Sequence, residues 1–198
     1  MNSLLKQHVI QLGFLALVSL MLATRIHYIY HFGSTFSLPD ASLAVFFLAG
    51  FYFNRFALFV LLLFIAAMVD YVAISQLNVS DWCISPAYIG LIPTYALVWL
   101  AGNYSARIKW SNSVAWVVRV GLLFLATSGA FFISNTTFYL FSGRYAQMAV
   151  SFYTEQVMQY YSPYLTSTLL YSVLIMASVK LIQVLNQYQQ VAAKKTDY

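Results

Sequence analysis

A few side chains stand where a mostly apolar sequence has no ordinary use for them: His31, Asp40, Asp70, Asp81, Cys83, Tyr88 and Arg144. Asp70 interrupts the apolar run 56–69, and a carboxylate at that depth costs about 2.5–3.5 kcal/mol on insertion scales unless it faces a partner or water. It is therefore a candidate site residue, the plain alternative being a hydrogen bond that ties two helices together. Cys83 is the only thiol, so no intrachain disulfide forms, and its chemistry is that of a soft metal ligand or nucleophile. It lies in Ser80-Asp81-Trp82-Cys83-Ile84-Ser85-Pro86, just before a proline-led helix start. Helix-end amides there favour a thiolate, and Asp81 opposes one. A small buried hydrophobe is the commoner fate of a free cysteine.

Tyr88 and Tyr95 are seven residues apart, nearly two helical turns, and share a face of the segment that also holds Pro86 and Pro93. A proline inside a membrane helix frees a backbone carbonyl, a feature tolerated where it lines a cavity or is buried in protein. A simple packing kink accounts for Pro93 equally well. His27 and His31 are four apart, but without a partner on another helix they make a weak haem or metal site. A helix-end role suits His27, and a substrate contact suits His31. Arg144 follows Ser142-Gly143 in a connection, where a solvated charge is nearly as expected as a binding role. No glycine-rich phosphate loop is present, so the chain binds no nucleotide through such a motif.

Composition says what positions these groups. Of 198 residues 62% are hydrophobic and 8% charged, 10 Lys and Arg with 5 Asp and Glu. A soluble domain is about 25% charged, so this chain has too few charges to coat a globule in water. Disorder is excluded by the same hydrophobicity. Nucleic-acid binding is excluded too, because the net charge of +5 comes from scattered residues with no basic stripe. The composition implies an integral membrane protein. Continuous apolar runs predict an all-α single domain over 1–198 with six transmembrane helices, at 8–30, 39–54, 56–76, 86–102, 113–134 and 163–186. The second is the short one, bounded by Pro39-Asp40 and Asn54-Arg55.

With both termini on one face, that face carries Lys6, Arg55, Arg107, Lys109, Lys180, Lys194 and Lys195, with Arg119 just inside, against Arg25 and Arg144 opposite. Basic residues favour the cytoplasm, so both termini are expected there, and the polar and reactive side chains gather toward the outer face as around an outward-opening cavity. Gly13, Ala16, Ser19 and Ala23 line one side of the first helix, where small side chains allow another helix to approach closely.

Several blocks resemble the BtuM-type vitamin B12 substrate-binding S components of energy-coupling factor (ECF) transporters. They are His31-Phe32-Gly33; Leu38-Pro39-Asp40-Ala41-Ser42 running into 46–52; Asp70; Cys83-Ile84-Ser85-Pro86-Ala87-Tyr88; 93–100; and Ser142-Gly143-Arg144. Beyond Arg144 the likeness is general hydropathy. The resemblance implies a six-helix S-component fold in the cytoplasmic membrane, binding cobalamin from the outer side and coupled to a transmembrane subunit and two ATPases. It implies Cys83 as the cobalt ligand, Asp70, Tyr88 and Arg144 as further site positions, and His31 in a matching motif. Cobalamin is then the transported ligand, the chain has no cofactor of its own, and its activity is transport rather than catalysis, with cyanide release from cyanocobalamin as a side reaction. Ser19-x-x-x-Ala23 replaces the Ala-x-x-x-Ala pattern common on the first helix of S components. The residues also admit an S component for a smaller vitamin, or an intramembrane hydrolase using Cys83, His31 and Asp70.

Overall fold

The computed structural model describes residues 3–30, 39–77, 85–108 and 113–196, all of them helical or in turns and connections. Its helices are α1 (Ser3–Tyr30), α2 (Ser42–Tyr52), α3 (Phe56–Leu77), α4 (Leu91–Ala106), α5 (Ser113–Phe141), α6 (Val150–Met158) and α7 (Tyr161–Thr196), and a 3-10 turn at Pro86–Gly90 leads into α4. Among the described residues, three helices are long and apolar enough to cross a membrane, within Phe56–Gln76, Ser113–Phe141 and Tyr161–Gln189.

The long helices alternate in direction. Arg25 near the end of α1 meets Asp70 near the end of α3 and Ser42 at the start of α2. Asn103 near the end of α4 bonds to Asn54 just past α2, so α2 and α4 run together away from that cluster. Tyr171 in the first half of α7 donates to Pro39 O at 3.2 Å. Arg119, early in α5, lines a pocket with Tyr52 and Lys180 at the opposite end of the bundle.

Beside an apolar core, the exterior is apolar as well and several polar groups are buried. Exposed on α3 are Val60, Leu61, Phe64, Met68, Tyr71 and Val72, whereas Thr24, Arg25, Ser42, Thr94, Asn103, Thr127, Thr168 and Ser172 are buried. Spacings of three and four residues place the exposed α3 side chains on one face, and an apolar face of that kind suits contact with acyl chains. Together with the long apolar helices this makes the chain an all-α membrane protein.

α2 is the centre. It has 11 residues, about 16 Å of helix, and residues 42–50 are all buried. Its sequence is apolar on every side because neighbours cover every side. It covers only about half of a ~30 Å hydrocarbon core. Asn54, in a left-handed conformation at φ 45°, ends it, and the side-chain amide of this residue accepts a bond from Asn103. Asparagine tolerates this conformation better than most residues.

α2 and α4 touch backbone to backbone through a reciprocal glycine pair. A Cβ on Gly50 would come within 2.1 Å of Trp99 O, and one on Gly102 within 2.0 Å of Phe47 O. Around this contact Phe46 stacks on Tyr95 at 4.2 Å and meets Phe59 edge-on at 5.7 Å.

The sequence expectation differs from the structure in three places. The second segment, expected to be the short one, is shorter still than 39–54, an 11-residue helix over Ser42–Tyr52. The connection after α5 contains a short helix, α6, that hydropathy does not separate from its surroundings. Pro93 is the third residue of α4, in the first turn, where a missing N–H is readily tolerated. The tail continues the last helix: α7 has 36 residues, about 54 Å, well beyond a membrane's thickness.

Gly102→Ala should destabilise the protein by about 1–3 kcal/mol through overpacking against α2. Gly121→Ala, where an added Cβ meets nothing within 4 Å, should be neutral or slightly stabilising. Thermal unfolding of the two variants in the same detergent checks the contrast.

Candidate functional site

The first five helical segments bring one polar cluster together at the end of the bundle where α1 and α3 finish and α2 and α4 begin. Arg25 occupies its middle, 9% exposed. Its Nε donates to Asp70 Oδ1 at 2.7 Å and its Nη2 to Asp70 Oδ2 at 2.6 Å. The planar guanidinium fork matches a carboxylate in this two-point geometry. Nη1 turns the other way, donating to Ser42 Oγ at 2.9 Å and Tyr95 Oη at 3.1 Å, with Asp40 Oδ2 3.7 Å away.

The carboxylates are held in turn. Tyr88 Oη donates to Asp70 Oδ2 at 2.8 Å. Asp40 Oδ1 accepts from the Ser42 backbone N–H at 3.0 Å and from Ser42 Oγ at 2.7 Å, which places a carboxylate at the start of α2, where the helix dipole favours it. Thr24 Oγ1 accepts the Ala41 N–H at 3.1 Å, so α1 fixes the entry to α2 from one residue before Arg25. Exposure grades across the cluster: the side chains of Arg25, Asp70 and Asp40 are 11%, 17% and 33% accessible. The cluster is closed toward the core and open at Asp40.

Asp70 and Tyr88, expected as site residues, are brought into direct contact. Tyr95 shares their neighbourhood through Arg25, so the face common to Tyr88 and Tyr95 is directed at one ion pair. Asp70 also ties neighbouring helices together, so the helix-bridging alternative describes its observed bonds.

Cys83, His31 and Asp81 lie outside the described residues, and His27 lies in the last turns of α1. By chain connection, 31–38 joins the helix of Arg25 to Asp40, and 78–84 joins the helix of Asp70 to the turn of Tyr88.

Arg144 lies in the connection that leaves α5. Gly143 adopts φ 72°, the left-handed residue that commonly ends a helix, and the Arg144 N–H donates to Ser142 Oγ at 3.3 Å. With Gln147, Met148 and Phe152, Arg144 lines an open pocket of about 550 Å³. Beside it Tyr139, Tyr145 and Tyr153 cluster, with the ring of Tyr153 4.9 Å from Tyr139 and 4.7 Å from Tyr145. Tyr153 Oη donates to Asn135 O at 3.0 Å and pins α6 to α5. Burial, and then Tyr145, push the Tyr153 phenol up to about 12, so it stays a donor at neutral pH.

Arg25 is the residue that sequence reasoning missed, having counted it only in the charge asymmetry. A signal was available. An arginine inside an apolar helix needs a partner, and with only 5 acidic residues in the chain, Asp40 and Asp70 were among very few choices. Among the described residues, no three of His, Cys, Asp and Glu are grouped so as to hold a metal ion. In comparison with known proteins, no family model matches the sequence and no curated protein matches it significantly.

Removing one partner of a buried ion pair leaves the other uncompensated. Arg25→Met alone should cost about 3–5 kcal/mol, and Arg25→Met with Asp70→Leu should recover a large part of that loss. Thermal unfolding of the single and double variants measures the coupling.

Proposed function

We propose that this chain is the cobalamin-binding S component of an ECF-type transporter, a vitamin-uptake subunit of the cytoplasmic membrane. The observation that carries the proposal is the meeting of Asp70 and Tyr88 around buried Arg25, at the end of the bundle into which the Cys83 segment leads. Cobalamin is a large corrin with amide arms, and its site calls for aromatic walls and a few fixed hydrogen-bonding groups. Tyr88, Asp70, Asp40 and the tyrosines around Arg144 are groups of that type at one end of the bundle. Cys83, five residues before Tyr88, supplies a soft sulfur for the lower axial position of cobalt, displacing the vitamin's own nucleotide base. A donor that strong weakens the bond opposite it, so cyanocobalamin bound here should lose cyanide as a side reaction.

In this proposal six segments, α1 to α5 and α7, traverse the membrane, α2 doing so inside the bundle with its flanking residues. The termini are cytoplasmic. Arg55, Arg107, Arg119 and Lys180 belong to the end opposite the polar cluster, which is the distribution that a cytoplasmic face favours. Ala16, Ser19 and Ala23 of α1 are exposed and form the surface for a transmembrane coupling subunit, with two ATPases supplying energy. Gly13 is committed internally, 3.3 Å from the Phe53 ring by its missing Cβ. The hydrolase alternative needs Asp70 turned toward an imidazole, whereas both of its oxygens are bonded to Arg25.

The visible spectrum of the purified protein tests the proposal, because bound corrin is strongly coloured. Cys83→Ser should shift that spectrum and leave cyanide on the vitamin. Tyr88→Phe should weaken binding by about 1–3 kcal/mol in protein that still elutes as a folded monodisperse species, whereas Asp70→Asn, which removes the charge paired with buried Arg25, should weaken binding and also lower the unfolding midpoint. An unchanged spectrum in Cys83→Ser with vitamin bound refutes cobalt ligation. A colourless protein with a reactive-thiol acyl intermediate favours the hydrolase, and binding of a smaller vitamin without dependence on Cys83 favours a different S component.

Orientation has its own check. A membrane-impermeant thiol reagent should label unliganded Cys83 from outside intact cells, and labelling from the cytoplasmic side alone would reverse the topology.

A further inference from the structure

At the end of the bundle away from Arg25, a pocket of about 180 Å³ opens between α2, α5 and α7. Met176, Val179, Lys180 and Gln183 line it from one face of α7, Trp116 and Arg119 from the first turns of α5, and Phe51 and Tyr52 from the end of α2. None of these residues is acidic, and two are cations. Arg119 is oriented by its surroundings: Nη2 donates to Ile108 O at 2.8 Å, and the guanidinium sits 5.8 Å from the centre of the Phe51 ring. The end of α2 contributes the negative pole of its dipole, roughly half a charge, against the two cations that line the cavity. The Trp116 indole and Tyr52 phenol are groups that favour the level of lipid headgroups, and with the Gln183 amide they add neutral donors around the cations.

We infer that this pocket binds a phosphate group, with Arg119 and Lys180 as its charged ligands. Membrane proteins hold anionic headgroups in basic pockets between helices, and here cations, neutral donors and apolar walls from Phe51, Met176 and Val179 converge on one cavity. A phosphodiester headgroup and free inorganic phosphate share this chemistry, and the experiment separates them.

The purified full-length chain is reconstituted in nanodiscs of phosphatidylcholine with a graded fraction of phosphatidylglycerol, and in parallel held in detergent with added inorganic phosphate. Bound lipid is read by native mass spectrometry after release from the nanodiscs, and stability by the thermal unfolding midpoint. Wild type should retain phosphatidylglycerol over phosphatidylcholine. Lys180→Gln should weaken that retention about fivefold, and Arg119→Gln with Lys180→Gln should weaken it further. Arg107→Gln, a cation at the same end that does not line the pocket, should leave it unchanged. Stabilisation by inorganic phosphate that is lost in the same variants, without a lipid preference, assigns the site to free phosphate. Because Arg119 also holds the Ile108 carbonyl, Lys180→Gln alone, on an exposed side chain, decides the matter if the double variant does not fold. Equal retention of the two lipids with no response to phosphate, or a loss matched by Arg107→Gln, overturns the inference.

Discussion

Arg25 and Asp70 each occupy a place in an apolar helix that neither could hold without the other. Charges removed from water lose hydration energy, and only close opposite charge with further hydrogen bonds restores it. Both conditions are met here: the pair is bonded at 2.7 and 2.6 Å, Tyr88 donates to Asp70, and Ser42 and Tyr95 accept from Arg25 Nη1. Well-packed apolar residues often stabilise a fold as effectively as a buried ion pair, so the cluster matters chiefly for position. It sets the register of α1 against α3, and of both against the starts of α2 and α4. A site assembled from these elements is held to that register.

The remainder of the packing follows membrane rules. Helices immersed in lipid gain little from burying apolar surface against one another, and close backbone approach and interhelical hydrogen bonds take over. Gly50 and Gly102 allow α2 and α4 to touch, and the Asn54–Asn103 bond closes their far end. The large side chains that in water would form a core are divided. Phe46, Phe47 and Leu48 fill the centre with Phe59 and Leu62 of α3, while Phe64, Met68 and Tyr71 of α3 face outward.

The two ends of the bundle consequently differ in chemistry. One gathers two carboxyl groups, an enclosed arginine and the tyrosines that bond to them. The other gathers Arg119, Lys180, Trp116 and Tyr52 around a pocket. Between them lies α2, too short to span the hydrocarbon core alone.

Composition and apolar runs by themselves determined that the chain is helical and belongs in a membrane, because apolar length and scarcity of charge are local properties. The helix boundaries near 30, 56, 113 and 161 are marked by polar breaks in the same way. Asp70 and Tyr88 were legible as unusual residues because lipid makes a lone polar group conspicuous. Their contact was not, since the 17 residues between them fix no angle between α3 and the turn at Pro86–Gly90. Arg25 was legible as a charge and illegible as a hub, because its partners come from three other segments and only the fold chooses among Asp40, Asp70 and solvent. α2 was legible as the short run between Pro39-Asp40 and Asn54-Arg55, but not as the centre of the bundle. Its burial on every side is decided by which neighbours surround it, and hydropathy cannot distinguish a helix covered by protein from one covered by lipid.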